Sequence, residues 1–310
     1  MPAGDATFPL VPRFRLIGVP FGSSHSARRG IGADIAGTRM YAPGDPVSSI
    51  DWRASARLST AHDADEFVVR DRFADESPRV LVLADRRPAM ALYPPGLPWL
   101  SKPAAMSAAV DLIAASAFRA RGLLGYLDLA DPADPFWSPP RSEPQWRGLE
   151  DDYRARPFTA PADTIARGLE FLRFARLSLP PGTFLFVLSD FLVAPPAEAW
   201  LAPLESRWDV VPVVIQDPIW EQSFPEVSSV ALPIVDAESG RSELVRLTPQ
   251  QAREVREAHE RRHQHLLDEF AALGLDSVVV DSSDEERLLQ EFLAWADRRK
   301  LVGRQWRLGA

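Results

Sequence analysis

The sequence predicts an α/β fold built on a doubly wound, mostly parallel sheet, and three observations support this prediction. From residue 79 onward, short apolar runs alternate with longer stretches of helical periodicity. The apolar runs are continuous, which is typical of strands covered on both faces. Two of them end at an aspartate, Asp85 or Asp190, and such folds place their functional groups beyond the carboxyl ends of the strands. Regular strand–helix alternation therefore favours a parallel sheet between two helical layers.

The individual elements follow from local patterns. The apolar run at 80–84 predicts a buried strand, and residues 102–121 carry their apolar side chains on one helical stripe. Residues 131–162 are rich in proline and tryptophan and are predicted to form a surface excursion outside the core. Two apolar runs near 230–247 flank a turn signal and predict a β-hairpin insertion. The remaining strands are predicted at 123–129, 183–188, 210–216 and 277–280, and the remaining helices at 163–177, 198–206, 249–273 and 284–300.

The first 78 residues differ from the rest in composition. They are rich in glycine, serine, arginine and proline and show no long helical period. Short apolar runs at 14–19 and 67–69 predict strands, with ordered loops between them. The predicted organisation is therefore an extended, β-rich segment over residues 1–78, followed by an α/β domain over residues 79–310.

Composition excludes several classes of function. The chain of 310 residues has no cysteine, which excludes disulfides, thiolate nucleophiles and cysteine-based metal sites. Its net charge of −8 disfavours a nucleic-acid partner, because phosphate neutralisation needs a clustered basic surface. The first ten residues carry an aspartate and two prolines where a secretory signal has its apolar core, and no apolar run is long enough to span a bilayer. We therefore expect a cytoplasmic protein without membrane insertion.

The densest local signal is a block of arginine and aspartate residues at 39–57. Its charges favour an ion-paired turn in which Asp45 and Asp51 bind the guanidinium groups of Arg39 and Arg57. Gly44 supplies backbone freedom in this interpretation, and Trp52 supplies an apolar anchor. A structural clamp is the first interpretation of the block, and a docking surface is the second. The block comprises Arg39-x-Tyr41-x-Pro43-Gly44-Asp45, Ile50-Asp51-Trp52 and Ala56-Arg57.

These motifs resemble the signature of the domain of unknown function 58 family. The resemblance implies a von Willebrand factor A-like α/β domain and an association with MoxR-type AAA+ ATPases. It covers roughly residues 20 to 300. Besides the block at 39–57, it rests on His25-Ser26, Arg29-Gly30-x-Gly32, Leu83-Ala84-Asp85, Ser189-Asp190-Phe191, Asp217-Pro218 and Val235-Asp236-x-Glu238-x-Gly240.

The resemblance points to a degenerate metal-ion-dependent adhesion site. A-domains place Asp-x-Ser-x-Ser after the first strand; here Asp85 is kept, whereas Arg87 and Ala89 stand at the serine positions, with Ser189 and Asp190 after a later strand. Neither replacement offers Mg²⁺ a side-chain oxygen ligand. We expect the guanidinium of Arg87 to pair with both aspartates and to replace the cation, because buried carboxylates need a positive partner. In the alternative, Arg87 points to solvent and a weakened Mg²⁺ site remains.

One enzyme motif occurs in the sequence. Residues 259–263 match the His-Glu-x-x-His pattern of zinc metalloproteases, with His259 and His263 on one helical face. Two arginines lie between the histidines, and no third ligand follows at a suitable spacing. A helix rich in glutamate, arginine and histidine produces this match by composition, so zinc catalysis is an alternative and not the expectation.

The expected function is non-enzymatic protein–protein recognition, without catalytic residues and without a required cofactor. The resemblance implies an adaptor or co-chaperone that links a MoxR-type AAA+ ATPase to a client protein. Two docking faces are candidates, namely an exposed Arg87 guanidinium that attracts a carboxylate, and the block at 39–57. A metal-dependent hydrolase using His259 and His263, and an anion or small-ligand sensor using the arginine-rich loops, are the two alternatives.

Overall fold

The computed structural model describes residues 6–13, 35–41, 50–62, 66–72, 77–91, 100–175, 179–226, 231–235 and 241–308. The chain divides into two units. Phe14–Pro78 form the N-terminal unit, and Met1–Arg13 together with Arg79–Ala310 form the main unit. Within the described ranges, every helix is too short or too polar to cross a membrane.

The N-terminal unit contains a two-stranded antiparallel sheet and one helix. Strand β1 (Ile35–Met40) pairs with strand β2 (Val68–Arg72), and helix α1 (Trp52–His62) lies between them in the chain. Asp51 caps α1, since its carboxylate accepts the backbone N–H groups of Arg53 and Ala54 at 3.1 Å each. The strand predicted at 67–69 is thus present, and the one predicted at 14–19 lies outside the described residues.

Helix α1 forms although the sequence shows no long helical period there. Besides the Asp51 cap, the hydroxyl of Ser55 accepts the backbone N–H of Val68 at 2.9 Å and so ties the helix to β2. Tertiary contacts of this kind override weak local propensity, because most helical stability in proteins comes from packing.

The main unit contains eight strands and seven α-helices among its described residues. The strands are β3 (Arg79–Ala84), β4 (Leu123–Asp128), β5 (Phe136–Arg141), β6 (Phe184–Ser189), β7 (Asp209–Ile215), β8 (Ala231–Val235), β9 (Ser242–Arg246) and β10 (Val278–Val280). The helices are α2 (Lys102–Arg119), α3 (Glu143–Arg147), α4 (Glu150–Arg154), α5 (Thr164–Ala175), α6 (Leu201–Glu205), α7 (Pro249–Ala272) and α8 (Glu285–Leu308).

Six of these strands form one sheet in the order β10-β7-β6-β3-β4-β5. All neighbours are parallel except β4 and β5, which are antiparallel. The chain passes from β3 to β4 on one side and later returns to β6 on the other side of β3. The switch in winding direction therefore falls between β3 and β6, and the crevice beyond their carboxyl ends is where such sheets place a site. The predicted α/β fold with a mostly parallel sheet is confirmed.

Helices cover both faces of this sheet. On one face, Leu83 and Val187 belong to a buried cluster with Leu169 of α5 and Phe270 of α7. On the other face, the ring of Phe186 lies 6.0 Å from that of Trp295 in α8. Burial of these apolar side chains between the layers is the main favourable contribution to folding.

Residues 131–162 are part of the core, and the predicted surface excursion is wrong. Strand β5 extends the sheet at its edge, and the side chains of Trp146 and Tyr153 are fully buried. The two rings stack with centroids 5.3 Å apart. Strand β5 also approaches β4 closely, since a Cβ atom on Gly125 would lie 2.8 Å from the carbonyl oxygen of Ser138. The prolines of β5 are tolerated because it is an edge strand.

The predicted hairpin insertion is also present. Strands β8 and β9 pair antiparallel, with Ala231 opposite Arg246 and Val235 opposite Ser242. They form a two-stranded sheet of their own. The turn residues 236–240 lie outside the described residues.

The start of the chain belongs to the main unit, whereas the sequence predicts it as part of a segment over residues 1–78. The Phe8 ring lies 4.6 Å from the Phe292 ring and 5.8 Å from that of Trp295. Its backbone N–H donates to the Ser116 hydroxyl at 3.0 Å. Burial of this single aromatic side chain explains why residues 1–13 group with residues 79–310.

Candidate functional site

The candidate site lies beyond the carboxyl ends of β3 and β6, at the switch in winding direction. Asp85 directly follows β3, Ser189 is the last residue of β6, and Asp190 comes next. The backbone N–H of Asp85 donates to the carbonyl of Leu188 at 2.9 Å, so the ladder between the two strands extends into the site. Both carboxylates are completely buried.

Arg87 occupies the space between the two carboxylates. Its Nε lies 2.8 Å from Asp85 Oδ2, and its Nη2 lies 2.6 Å from Asp190 Oδ1. The Ser189 hydroxyl donates to Asp85 Oδ2 at 2.7 Å. The side chain of Arg87 is buried, so the expected pairing with Asp85 and Asp190 is present and the solvent-pointing alternative is not.

Sequence reasoning missed two charged residues of this site, Lys102 and Glu221. The Nζ atom of Lys102 lies 2.9 Å from Asp190 Oδ2 and also contacts the Glu221 carboxylate. Ala89 contributes only its carbonyl oxygen, 3.4 Å from the same Nζ. The sequence could have indicated Lys102, because it is one of only two lysines in the chain and is the first residue of a helix. A cation is unfavourable at a helix N-terminus unless carboxylates compensate it.

The charged side chains of the site compensate one another. Burial alone would raise the pKa of Asp190, but Lys102 and Arg87 outweigh burial and hold that pKa below its ordinary value. Burial raises the pKa of Glu221, because Lys102 offsets only part of the desolvation. Burial would lower the pKa values of Arg87 and Lys102, and their carboxylate partners reverse this and raise both. Both cations therefore stay charged at neutral pH and compensate the buried carboxylates.

The loop that follows β7 covers Lys102 and is bound by α7. Three α7 side chains donate to three backbone carbonyls of this loop. Arg256 Nε reaches Phe224 O at 2.8 Å, His259 Nδ1 reaches Ser223 O at 2.9 Å, and Arg262 Nη2 reaches Glu221 O at 2.9 Å. We call these contacts, together with those of Glu260 and His263 on the same helix, the α7 clamp.

The His-Glu-x-x-His residues belong to the α7 clamp. Glu260 accepts the Ser223 hydroxyl at 2.8 Å, and His263 Nδ1 donates to Gln216 Oε1 at 2.7 Å. Burial, together with the nearby charge of Arg262, lowers the pKa of His263 and keeps it neutral at pH 7. Among the described residues, no three histidine, aspartate or glutamate side chains are grouped to hold a metal ion. The motif thus has a structural explanation.

A second ionic cluster adjoins the site at the end of β4. Arg86 donates to the Tyr126 hydroxyl at 3.0 Å and to the Tyr153 carbonyl at 2.6 Å, and its Nε lies 3.8 Å from Asp128 Oδ2. Arg156 donates to Asp128 Oδ1 at 3.2 Å. Burial raises the pKa of Tyr126, so its hydroxyl stays protonated and accepts from Arg86. These contacts fasten residues 131–162 to the sheet.

The predicted ion-paired turn of the block at 39–57 lies partly outside the described residues. Asp51 caps α1, and Arg57 is exposed on that helix. Trp52 is 60% exposed and is not a buried anchor; its ring contacts Phe67 edge-on at 6.1 Å. The backbone of Arg39 pairs with Val69 in the β1–β2 sheet. Pro43, Gly44 and Asp45, and the side chain of Arg39, lie outside the described structure.

Tyr41 joins the same exposed surface. Its ring contacts that of Phe67 edge-on at 6.5 Å, and both side chains are exposed, as is neighbouring Met40. The motif aromatics therefore face solvent, whereas Arg87 and its carboxylate partners are buried in the main unit.

Comparison with known proteins gives a family and a distant structural neighbour. A crystal structure of an aerotolerance-related membrane protein from Bacteroides fragilis NCTC 9343, with multiple mutations to serines, aligns over 69% of this chain and 98% of that chain. The two are 16% identical, with a TM-score of 0.38. No curated protein matches the sequence significantly. The family model described as "Protein of unknown function DUF58" matches residues 37–266, so the chain belongs to this family.

Proposed function

We propose that this protein is a non-enzymatic adaptor or co-chaperone that binds a MoxR-type AAA+ ATPase and presents a client protein to it. We further propose that it docks through the motif surface, defined as Met40, Tyr41, Trp52, Arg57 and Phe67 of the N-terminal unit. The observation that carries the proposal is the exposure of the aromatic residues of the family motif.

The motif surface has the composition of a protein-binding site. Exposed aromatic side chains in mutual contact are costly in water and are enriched at the centres of protein interfaces. Trp, Tyr and Arg are the residues that most often dominate binding energy there. Arg57 is exposed on the same helix, five residues after Trp52, and adds a positively charged side chain to the family motif.

The buried site in the main unit is a poor docking face by comparison. Arg87 and Lys102 are 4% and 2% exposed, so neither offers its charge to a carboxylate on another protein. Both cations are also fully engaged with Asp85, Asp190 and Glu221. We propose that this degenerate adhesion site stabilises the crevice between β3 and β6, with Arg87 in the role of a resident cation.

Binding to the MoxR-type ATPase of the same organism tests the proposal. Purified protein and ATPase are mixed with and without ATP, and the affinity is measured for wild type, Trp52→Ala and Arg57→Glu. We expect nucleotide-dependent binding that weakens about 30-fold in Trp52→Ala, the effect of losing an interface residue that contributes about 2 kcal/mol. Phe174→Ala is the matched control, since Phe174 is 75% exposed in the main unit.

Circular dichroism first shows that the variants are folded, and the binding measurements then distinguish three outcomes. Weakened binding in Trp52→Ala and Arg57→Glu, with wild-type affinity in Phe174→Ala, supports docking through the motif surface. Equal affinity in all four proteins excludes the motif surface. Absence of any complex, with or without ATP, excludes the adaptor function itself.

A further inference from the structure

Residues 6–13, with the sequence Ala-Thr-Phe-Pro-Leu-Val-Pro-Arg, form an extended segment on the main unit; we call them the proline segment. The proline segment belongs to no helix and pairs with no strand. Pro9 and Pro12 are three residues apart, which is the repeat of a polyproline II helix and suits recognition by an aromatic-lined groove. The main unit therefore holds this segment as a protein holds a linear peptide.

One aromatic side chain anchors the proline segment. Phe8 is 3% exposed and inserts between Phe186 of the sheet and Phe292 and Trp295 of α8, with centroid distances of 6.2, 4.6 and 5.8 Å. Its backbone N–H donates to the Ser116 hydroxyl at 3.0 Å, which fixes the direction of the segment. A buried aromatic in a dedicated pocket is the typical energetic centre of peptide recognition.

The ion pair between Arg299 and Asp209 binds the backbone farther along the proline segment. Arg299 Nη1 donates to the Val11 carbonyl at 3.0 Å, and the N–H of Arg13 donates to Asp209 Oδ2 at 2.8 Å. The Arg13 guanidinium lies against Gly274, where no space is left for a Cβ atom. The groove thus recognises an aromatic residue, a carbonyl three residues later and an N–H five residues later.

One buried hydrogen-bond donor of the groove has no acceptor in the part of the chain that the structure describes. Among the described residues, Arg299 Nη2 is buried without a hydrogen-bond partner, whereas Asp209 Oδ1 lies 2.9 Å from Arg299 Nη1. Burial raises the pKa of Asp209 because Arg299 offsets only part of its desolvation. An unsatisfied buried donor is unfavourable, so a segment that supplied an acceptor to Arg299 Nη2 would bind more tightly than the proline segment does.

We propose that this groove is a peptide-binding site for extended Phe-Pro-x-x-Pro-Arg segments, and that the proline segment is its internal, displaceable ligand. The occupant in trans is a partner segment of the same pattern. Because the internal ligand is part of the same chain, a partner segment displaces it only with a better fit. This proposal is independent of docking through the motif surface.

Peptide rescue of a full-length variant tests the groove. Phe8→Ala removes the anchor of the internal ligand, and a synthetic peptide with the sequence of residues 6–13 is then added. We expect the peptide to raise the melting temperature of Phe8→Ala and to leave wild type unchanged, because the wild-type groove is already filled. A peptide carrying alanine in place of Phe8 is the matched control and produces no rise. Equal effects of both peptides, or no effect of either, overturn the proposal.

Hydrogen exchange in the wild-type protein gives a second, independent test. The amides of Phe8 and Arg13 donate to Ser116 and Asp209, and they exchange only when the proline segment detaches. We expect these two amides to exchange at least tenfold faster than those of β6 and β7. Exchange at the rate of the central strands shows that the segment leaves the groove only on global unfolding and excludes a displaceable ligand.

Discussion

At the scale of single residues, Arg87 supplies the positive charge that two buried carboxylates need. Its guanidinium bonds to Asp85 and Asp190, and Ser189 completes the contacts of the first carboxylate. Two buried carboxylates that share one partner require positive charge. Arginine supplies a permanent charge in a planar group that donates several hydrogen bonds. The carboxylate and hydroxyl oxygens of the site are ligands that a divalent cation prefers, but the Arg87 guanidinium occupies the space between them.

Replacing Arg87 by serine is predicted to create a cation site. Arg87→Ser leaves Asp85 without a cationic partner, while Lys102 still pairs with Asp190, and is expected to cost about 3–5 kcal/mol of unfolding free energy. Mn²⁺ or Mg²⁺ is expected to restore part of this in the variant and to leave wild type unchanged, because hard cations bind oxygen ligands. Thermal unfolding with and without the metal measures both effects. Arg154→Ser, which removes a surface ion pair with Asp111, should cost less than about 1 kcal/mol and gain nothing from metal.

Asp190 is predicted to make stability depend on pH in the acid range. The pKa of Asp190 is lowered in the folded protein from an ordinary value of 3.8, so its contribution is present above that value and is lost as pH falls through the folded pKa. The difference in unfolding free energy between wild type and Asp190→Asn should be largest near pH 7 and should shrink below about pH 4. Urea unfolding across this range measures it. A difference that stays constant down to pH 3 would contradict the assignment.

At the scale of elements, the α7 clamp connects a long helix to the loop that carries Glu221. The contacts come from positions 256, 259, 260, 262 and 263, which recur at the helical period and face the loop together. The same spacing produces the His-Glu-x-x-His match, so one periodicity accounts for both the motif and the clamp.

Removing one contact of the clamp is predicted to loosen the loop without changing the fold. His259→Ala deletes the donor to Ser223 O and the packing on Phe224. A net hydrogen-bond contribution of about 1 kcal/mol corresponds to roughly fivefold faster amide exchange over residues 217–224. His265→Ala is the matched control, since His265 is exposed on the same helix and pairs with Glu269. Unchanged exchange in His259→Ala, with stoichiometric zinc in the purified wild type, would favour the metal-dependent hydrolase instead.

At the scale of the whole molecule, continuous apolar runs predicted the parallel strands well, because burial on both faces leaves a strong signal in composition. Strand β5 escaped prediction because an edge strand containing Pro139 and Pro140 has the composition of a loop and is defined by its pairing with β4. In the site, Asp85 and Asp190 were predicted because they follow buried strands, and Arg87 because the family resemblance places it at a serine position of the adhesion motif. Glu221 was not predicted, because only the tertiary path of a loop brings it to Lys102.

The two units are predicted to differ in stability. Among the described side chains of the N-terminal unit, Val69 is buried, whereas Tyr41, Trp52 and Phe67 are exposed, so these side chains give the β1–β2 sheet little apolar burial. The main unit instead has a continuous buried cluster across β3, β4, β6 and β7. Local stability increases with buried apolar contact. We therefore expect the free energy of the opening that exposes the amides of β2 to be several kcal/mol lower than that of β6. Hydrogen exchange at increasing urea concentration measures both openings. If β2 and β6 open with the same free energy, the two units unfold together and the predicted difference is wrong.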